Sequence, residues 1–204
     1  MNVGGRWGII LTALVASSGL VVQRAVPSTP TPATPLAARN APPPGHTGGF
    51  GEPSCHKCHW EGDLNEPGGT LAIEGLPARY QPAARYRITV TLRHPELATA
   101  GFELSARYER GPDVGKQAGS FTPTDDRAAV TRVDSTGVSY LHHVRAGTIP
   151  VAPATGRWVV LWTAPLAGSG PVVFHLAANA TNDNDSELGD YVYTKSVSVG
   201  MGEK

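Results

Sequence analysis

From Thr70 to Val199, apolar side chains recur at every second position, the period of a half-buried strand and not of a helix. Tyr86, Ile88, Val90 and Leu92 fall on one side of such a strand, with Arg85, Arg87, Thr89 and Thr91 on the other. Phe102, Leu104, Ala106 and Tyr108 repeat the pattern against Glu103, Ser105, Arg107 and Glu109. Trp158 to Trp162 is apolar at every position and predicts a central strand. Val172 to Ala177 and Tyr191 to Val199 add two more, and Leu71 to Ile73, Val130 to Val133 and Ser139 to Val144 are shorter candidates. Turn signals separate them, among them Gly75-Leu76-Pro77, His94-Pro95, Gly111-Pro112 and Ala164-Pro165. The 24 glycines and 18 prolines in 204 residues suit the same turn-rich architecture. About seven or eight short strands with no helical stretch predict an all-β, antiparallel β-sandwich over residues 70–200.

The segments before the sandwich differ. Arg6 followed by the apolar run Trp7 to Val22 reads as an export signal, residues 1–25. The run is shorter than the roughly 20 residues that span a bilayer, and Ala16-Ser17-Ser18 offers a cleavage site. An uncleaved N-terminal membrane anchor is the alternative. Residues 26–45 carry Pro27, Pro30, Pro32, Pro35, Pro42, Pro43 and Pro44 among Ser, Thr and Ala, an extended linker that cannot bury a core. Residues 46–69 form a glycine-rich loop region. The charges balance at 17 basic and 17 acidic, which speaks against a nucleic-acid partner.

The chain has 2 cysteines, both inside Cys55-His56-Lys57-Cys58-His59. Cys-x-x-Cys-His is the attachment signature of c-type haem: two thiols three positions apart reach two vinyl groups, and the next histidine sits under the iron. Three other uses compete. A redox-active dithiol normally opens a helix in a βαβ setting. A zinc site normally draws on two separated ligand pairs. A plain local disulfide is the third. With haem c bound covalently at Cys55 and Cys58 and ligated by His59, the sixth ligand is expected to be a histidine, because Met1 lies in the leader and Met201 near the end. The candidates are His46, His56, His94, His142, His143 and His175. His142 and His143 face opposite sides of their strand, so one of them at most can face the iron. Asp183, Asp185, Glu187 and Asp190 form an acidic cluster with calcium-like spacing, for which a polar turn is the blander reading. No nucleophile elbow or other hydrolase motif is present.

Several short motifs recur in an order that resembles the bacterial choice-of-anchor V domain proteins, relatives of the Reelin N-terminal (Reeler) domain. They are Thr47-Gly48-Gly49-Phe50-Gly51-Glu52 leading into Cys55-x-x-Cys58-His59; Gly75-Leu76-Pro77 with Tyr80; Gly101 to Ala106; Ala118-Gly119; Tyr140-Leu141-His142-His143; Trp158 to Pro165; and Asn179 to Asp190 followed by Tyr191-Val192-Tyr193-Thr194. The resemblance covers about Gly45 to Val199 and implies an immunoglobulin-like sandwich. It also implies His143, after Tyr-Leu-x, as the distal iron ligand. The family's anchors are usually C-terminal, whereas this sequence closes on Met201-Gly202-Glu203-Lys204, so a tether is expected at the N-terminus. The expectation is therefore an exported, periplasmic or extracellular monohaem electron carrier, not an enzyme, served by a redox protein as partner. The alternative is a haem-free surface or adhesion module of the Reeler type with a local disulfide.

Overall fold

The structure, a computed structural model, describes residues 1, 2, 4, 40–166 and 170–202. The expected leader and most of the proline-rich linker lie outside the described residues. The chain divides into two compact units, Met1–Thr31 and Pro32–Lys204, and all the strands belong to the second. Among the described residues, no helix is long and apolar enough to cross a membrane.

Among the described residues, ten strands follow one another as β1 (Thr70–Glu74), β2 (Arg79–Tyr80), β3 (Arg85–Arg93), β4 (Thr99–Tyr108), β5 (Ser120–Pro123), β6 (Ala128–Val133), β7 (Val138–His143), β8 (Thr155–Thr163), β9 (Val172–Thr181) and β10 (Tyr191–Met201). They pair into a four-stranded sheet, β1-β3-β8-β5, and a six-stranded sheet, β2-β10-β9-β4-β7-β6. The result is the expected β-sandwich. Nearly every pair is antiparallel, and β2 meets β10 in parallel at Arg79 and Tyr80.

The pleat decides what lies between the sheets. Ile88, Val90 and Leu92 of β3 and Trp158, Val160 and Trp162 of β8 point inward from one sheet. Phe102, Leu104 and Ala106 of β4 and Phe174, Leu176 and Ala178 of β9 meet them from the other. The Phe102 and Trp158 rings lie 4.4 Å apart, and Trp162 meets Phe174 edge-on at 4.9 Å. Each buried indole N–H has a carbonyl, Gly147 for Trp158 and Ala118 for Trp162, both at 3.0 Å. The all-apolar run in β8 is thus one-sided: Val159 and Leu161 point outward and stay half-buried.

Two strands are absent from the sequence reading. β2 has two residues, too short to show a period, and β5 buries only Phe121. The larger surprise is the outer face of the six-stranded sheet. Glu103 and Ser105 alternate with the core residues of β4, as a solvent-facing row would, yet both are fully buried, and Arg107 nearly so.

Candidate functional site

The cover over that polar face is the segment that carries the cysteines. Its glycine-rich start folds back on itself: Thr47 bridges Ser54, the Gly48 N–H donates to the Pro53 carbonyl at 2.9 Å, and the Glu52 N–H to the Gly49 carbonyl at 2.9 Å. Gly49 lies flat on the sheet, where a Cβ would come within 2.2 Å of the His175 ring. Phe50, with φ of 53°, turns its ring to the edge of His175, and the Arg107 guanidinium lies 5.2 Å from the Phe50 centroid. Glu52 reaches down to ion-pair with Arg107 and accepts the Tyr140 hydroxyl, while Thr47 Oγ1 donates to its second oxygen at 2.8 Å. Burial pushes the Arg107 guanidinium down from its ordinary value, and the contact with Tyr140 opposes that. A buried guanidinium persists only when paired, which is the work of Glu52.

Deeper in the face, the Glu103 carboxylate accepts two main-chain N–H groups, His46 at 2.5 Å and Gly45 at 3.3 Å. Burial raises the Glu103 carboxyl to about 7, and the two N–H bonds offset only part of that.

Cys55 to Lys57 form a single 3₁₀ turn. The Ser54 hydroxyl caps it by accepting the His56 N–H at 3.3 Å, and the Cys58 N–H returns to the Cys55 carbonyl at 3.2 Å. The turn packs against β9. Cys55 and Cys58 are both free thiols in different surroundings. Burial, followed by the Glu103 charge, pushes the Cys55 thiol up to about 12, whereas Cys58 is exposed. His59 Nδ1 lies 2.6 Å from Asp190 Oδ2, at the start of β10. Asp190 is buried and also accepts the Asn179 amide and the Asn182 N–H, each at 3.3 Å. Farther on, Asn65 docks on the edge of β10: its N–H donates to the Val192 carbonyl at 2.9 Å, and its Oδ1 accepts the Thr194 N–H at 2.7 Å. The segment is therefore fastened along its length, at Glu103, Arg107, Asp190 and the β10 edge.

This geometry corrects the haem reading. Covalent haem c requires a porphyrin-sized slot between the cysteine turn and a distal ligand. Here the inner side of the turn is occupied by the sheet itself, where the turn packs against β9. His143, the expected distal ligand, is buried in the gap between β4 and β7, its Nδ1 3.0 Å from the Phe102 nitrogen and 3.2 Å from the Phe102 oxygen. It takes over backbone hydrogen bonding where the β4–β7 ladder ends, and Gly101 leaves room for its ring. Among the described residues no group of three or more His, Cys, Asp or Glu could hold a metal. The cleft of about 470 Å³ beside Gly68, His94 and Thr155 is lined by none of Cys55, Cys58, His59 and His143. The cofactor expectation, and with it the electron-carrier function, is overturned by a sandwich whose candidate ligands are built into its own face.

The remaining candidates are likewise occupied by the fold. His46 Nδ1 lies 2.9 Å from the Pro43 oxygen and His56 Nε2 2.7 Å from the Gly62 oxygen. His142 faces outward and contacts Thr131 Oγ1 at 2.9 Å, on the opposite side of β7 from His143 as the pleat requires. His175 contacts Ser196 Oγ at 2.8 Å, and His94 stacks on Tyr191 at 3.8 Å. Met201 lies in β10 beside Tyr80. The acidic cluster takes the polar-turn reading and not the calcium alternative. Asn182, Asn184 and Ser186 each accept the N–H two residues on, a succession of side-chain turns, and Asp190 is taken up by His59, Asn179 and the Asn182 N–H. Sequence reasoning missed Glu103, Arg107, Glu52 and Asn179. The signal for the first two is a strand whose outer row holds an acid and a base four residues apart, but burial of that row depends on a distant segment.

No protein-family model and no curated protein matches the chain. Solved structures do. The human F-spondin reeler domain (fragment 1) is 23% identical at a TM-score of 0.45, over 69% of this chain and 95% of that one. The Reelin-N domain of F-spondin is 21% identical at 0.45, over 72% and 97%. A cohesin module from a family 33 glycoside hydrolase of Clostridium perfringens is 12% identical at 0.45, over 67% and 97%. The chain is similar to these domains in the arrangement of its strands, and its own ladders establish the sandwich without them.

Proposed function

We propose that the chain is an exported β-sandwich binding module, free of haem, in which Cys55 and Cys58 close a local disulfide on the segment that covers the six-stranded sheet. The observation that carries this reading is the fastening of that segment: Glu52, Glu103, Asp190 and Asn65 all hold it to the sheet. A short cross-link inside a pinned cover suits a secreted domain, since disulfides persist in oxidising compartments. The outward side of the segment offers apolar surface for a partner. Trp60 and Leu188 flank the bond from the Gly189 N–H to Glu61, and both are exposed. The leader in the sequence supplies the export route.

The test is the intact mass of the chain after export, with haem c maturation machinery co-expressed and shown to work on a control. The expected product is lighter than the reduced chain by two hydrogens and carries no haem. A haem adduct, or two alkylatable thiols after export, would contradict the reading.

A further inference from the structure

We infer that the cleft at one end of the four-stranded sheet is a binding site for a small organic anion, whose carboxylate or phosphate group Arg93 and His94 hold between them. The site goes beyond the disulfide reading above and stands whether or not Cys55 and Cys58 are joined.

The strand register assembles it. Arg93, the last residue of β3, has Thr70, the first of β1, on one side and Thr155, the first of β8, on the other. Residues paired in this way project from the same face of a sheet, so the guanidinium stands in a row with two threonines. Arg93 is exposed, and among the described residues no ion pair or side-chain hydrogen bond takes up its guanidinium. His94 lines the cleft next to it. Its side chain is buried, 5% exposed, with the ring stacked on Tyr191 at 3.8 Å. His94 Nδ1 accepts the Glu96 N–H at 3.2 Å, so the neutral ring carries its proton on Nε2. That Nε2–H has no partner among the described residues, and it lies beside Gly68, where a Cβ would come within 3.4 Å of it. A buried donor without an acceptor is costly, and an anion in the cleft supplies the acceptor.

The rest of the lining selects the sign of the charge. Among the described residues, none that lines the cleft is acidic. The carbonyls of His94, Pro153 and Ala154 already accept, from the Leu97 N–H, the Thr155 hydroxyl and the His94 N–H. Pro95 and Pro153 have no N–H and add apolar wall. What remains for binding is a fork of guanidinium donors, one imidazole N–H and the Thr70 hydroxyl, a set that matches the oxygens of a carboxylate or a phosphate. Glu96, the acid nearest in sequence, accepts the Tyr191 hydroxyl at 3.2 Å. The cleft, of about 470 Å³, has the size of small-molecule sites, roughly 300–1,000 Å³, so an organic body fits beside the charged group.

The experiment titrates the full nitrogen-labelled chain with benzoate, phenyl phosphate and neutral benzamide at constant ionic strength, read by the NMR signals of amides and imidazoles. Benzoate, phenyl phosphate or both should move the Gly68, Thr70 and Thr155 amides and the His94 Nε2 signal to saturation. Whichever of the two binds more tightly identifies the oxyanion. Benzamide, with the shape of benzoate and no charge, should bind about tenfold or more weaker than the better anion. Arg93→Gln, at an exposed side chain, should weaken that anion about tenfold or more. Should the variant not fold, benzamide against the anions on the native chain decides alone. No saturable change with either anion would overturn the assignment. So would benzamide binding as tightly as the better anion, an unchanged affinity in the folded variant, or saturation that leaves His94 Nε2 unmoved.

Discussion

Glu103 shows how far one residue's surroundings can depart from its sequence context. On β4 it occupies an outer position, and the period-two pattern assigns it to solvent. In the folded chain it is wholly enclosed, held by main-chain N–H groups 57 and 58 residues away. No local pattern can report a contact at that separation. Its titration has a definite sign. The folded-state carboxyl, at about 7, lies above the ordinary 4.5, so the stability it contributes is complete below about 4.5 and is lost as pH rises through about 7. That interval corresponds to on the order of 3 kcal/mol. Glu103→Gln keeps the shape and one of the two acceptor oxygens, without the charge. Denaturant unfolding should therefore show the native chain losing stability between about pH 4.5 and 7, and the variant keeping it. Parallel curves for the two proteins would mean that Glu103 is not buried as described.

The cover segment is the element on which the site depends. Cys-x-x-Cys-His was legible as a local device, and its short, turn-borne character matches the 3₁₀ turn found. Which local device it is was not legible, because haem attachment and a pinned turn use the same five residues. The difference lies in Asp190, which holds His59 just after the turn, and in Glu103 and Arg107 of β4, which hold the segment before it. The glycines of residues 48–51 carry the rest of the information. Gly49 touches the sheet where no Cβ fits, so Gly49→Ala must push His175 aside or lift the loop. Overpacking of this kind costs about 1–3 kcal/mol. The variant should unfold at lower temperature, and the loss should shrink when His175 is also cut to Ala. Equal losses in both backgrounds would show that the loop does not rest on His175.

At the scale of the molecule, the sandwich was readable because its core is written in alternation. The inward rows of β3, β4, β8 and β9 are apolar, and the expected strands appear in the structure. What escaped were the two strands too short or too polar to alternate, β2 and β5, and the fact that one sheet carries a second, polar interior on its outer face. Alternation describes a sheet with one wet side. Here the wet side is roofed by a segment with no periodicity of its own.

The roof is the central claim, and native-state hydrogen exchange on the oxidised full chain tests it most directly. The amides of Gly45, His46, Gly48 and Glu52, which donate to Glu103, Pro53 and Gly49, should exchange on the timescale of the β4 amides, together with the Thr194 amide held by Asn65. Exchange of residues 45–54 at the rate of an unstructured loop, with β4 still protected, would contradict the account: Glu103 would lie open to water, and the cysteine turn would be free to serve something other than the sheet.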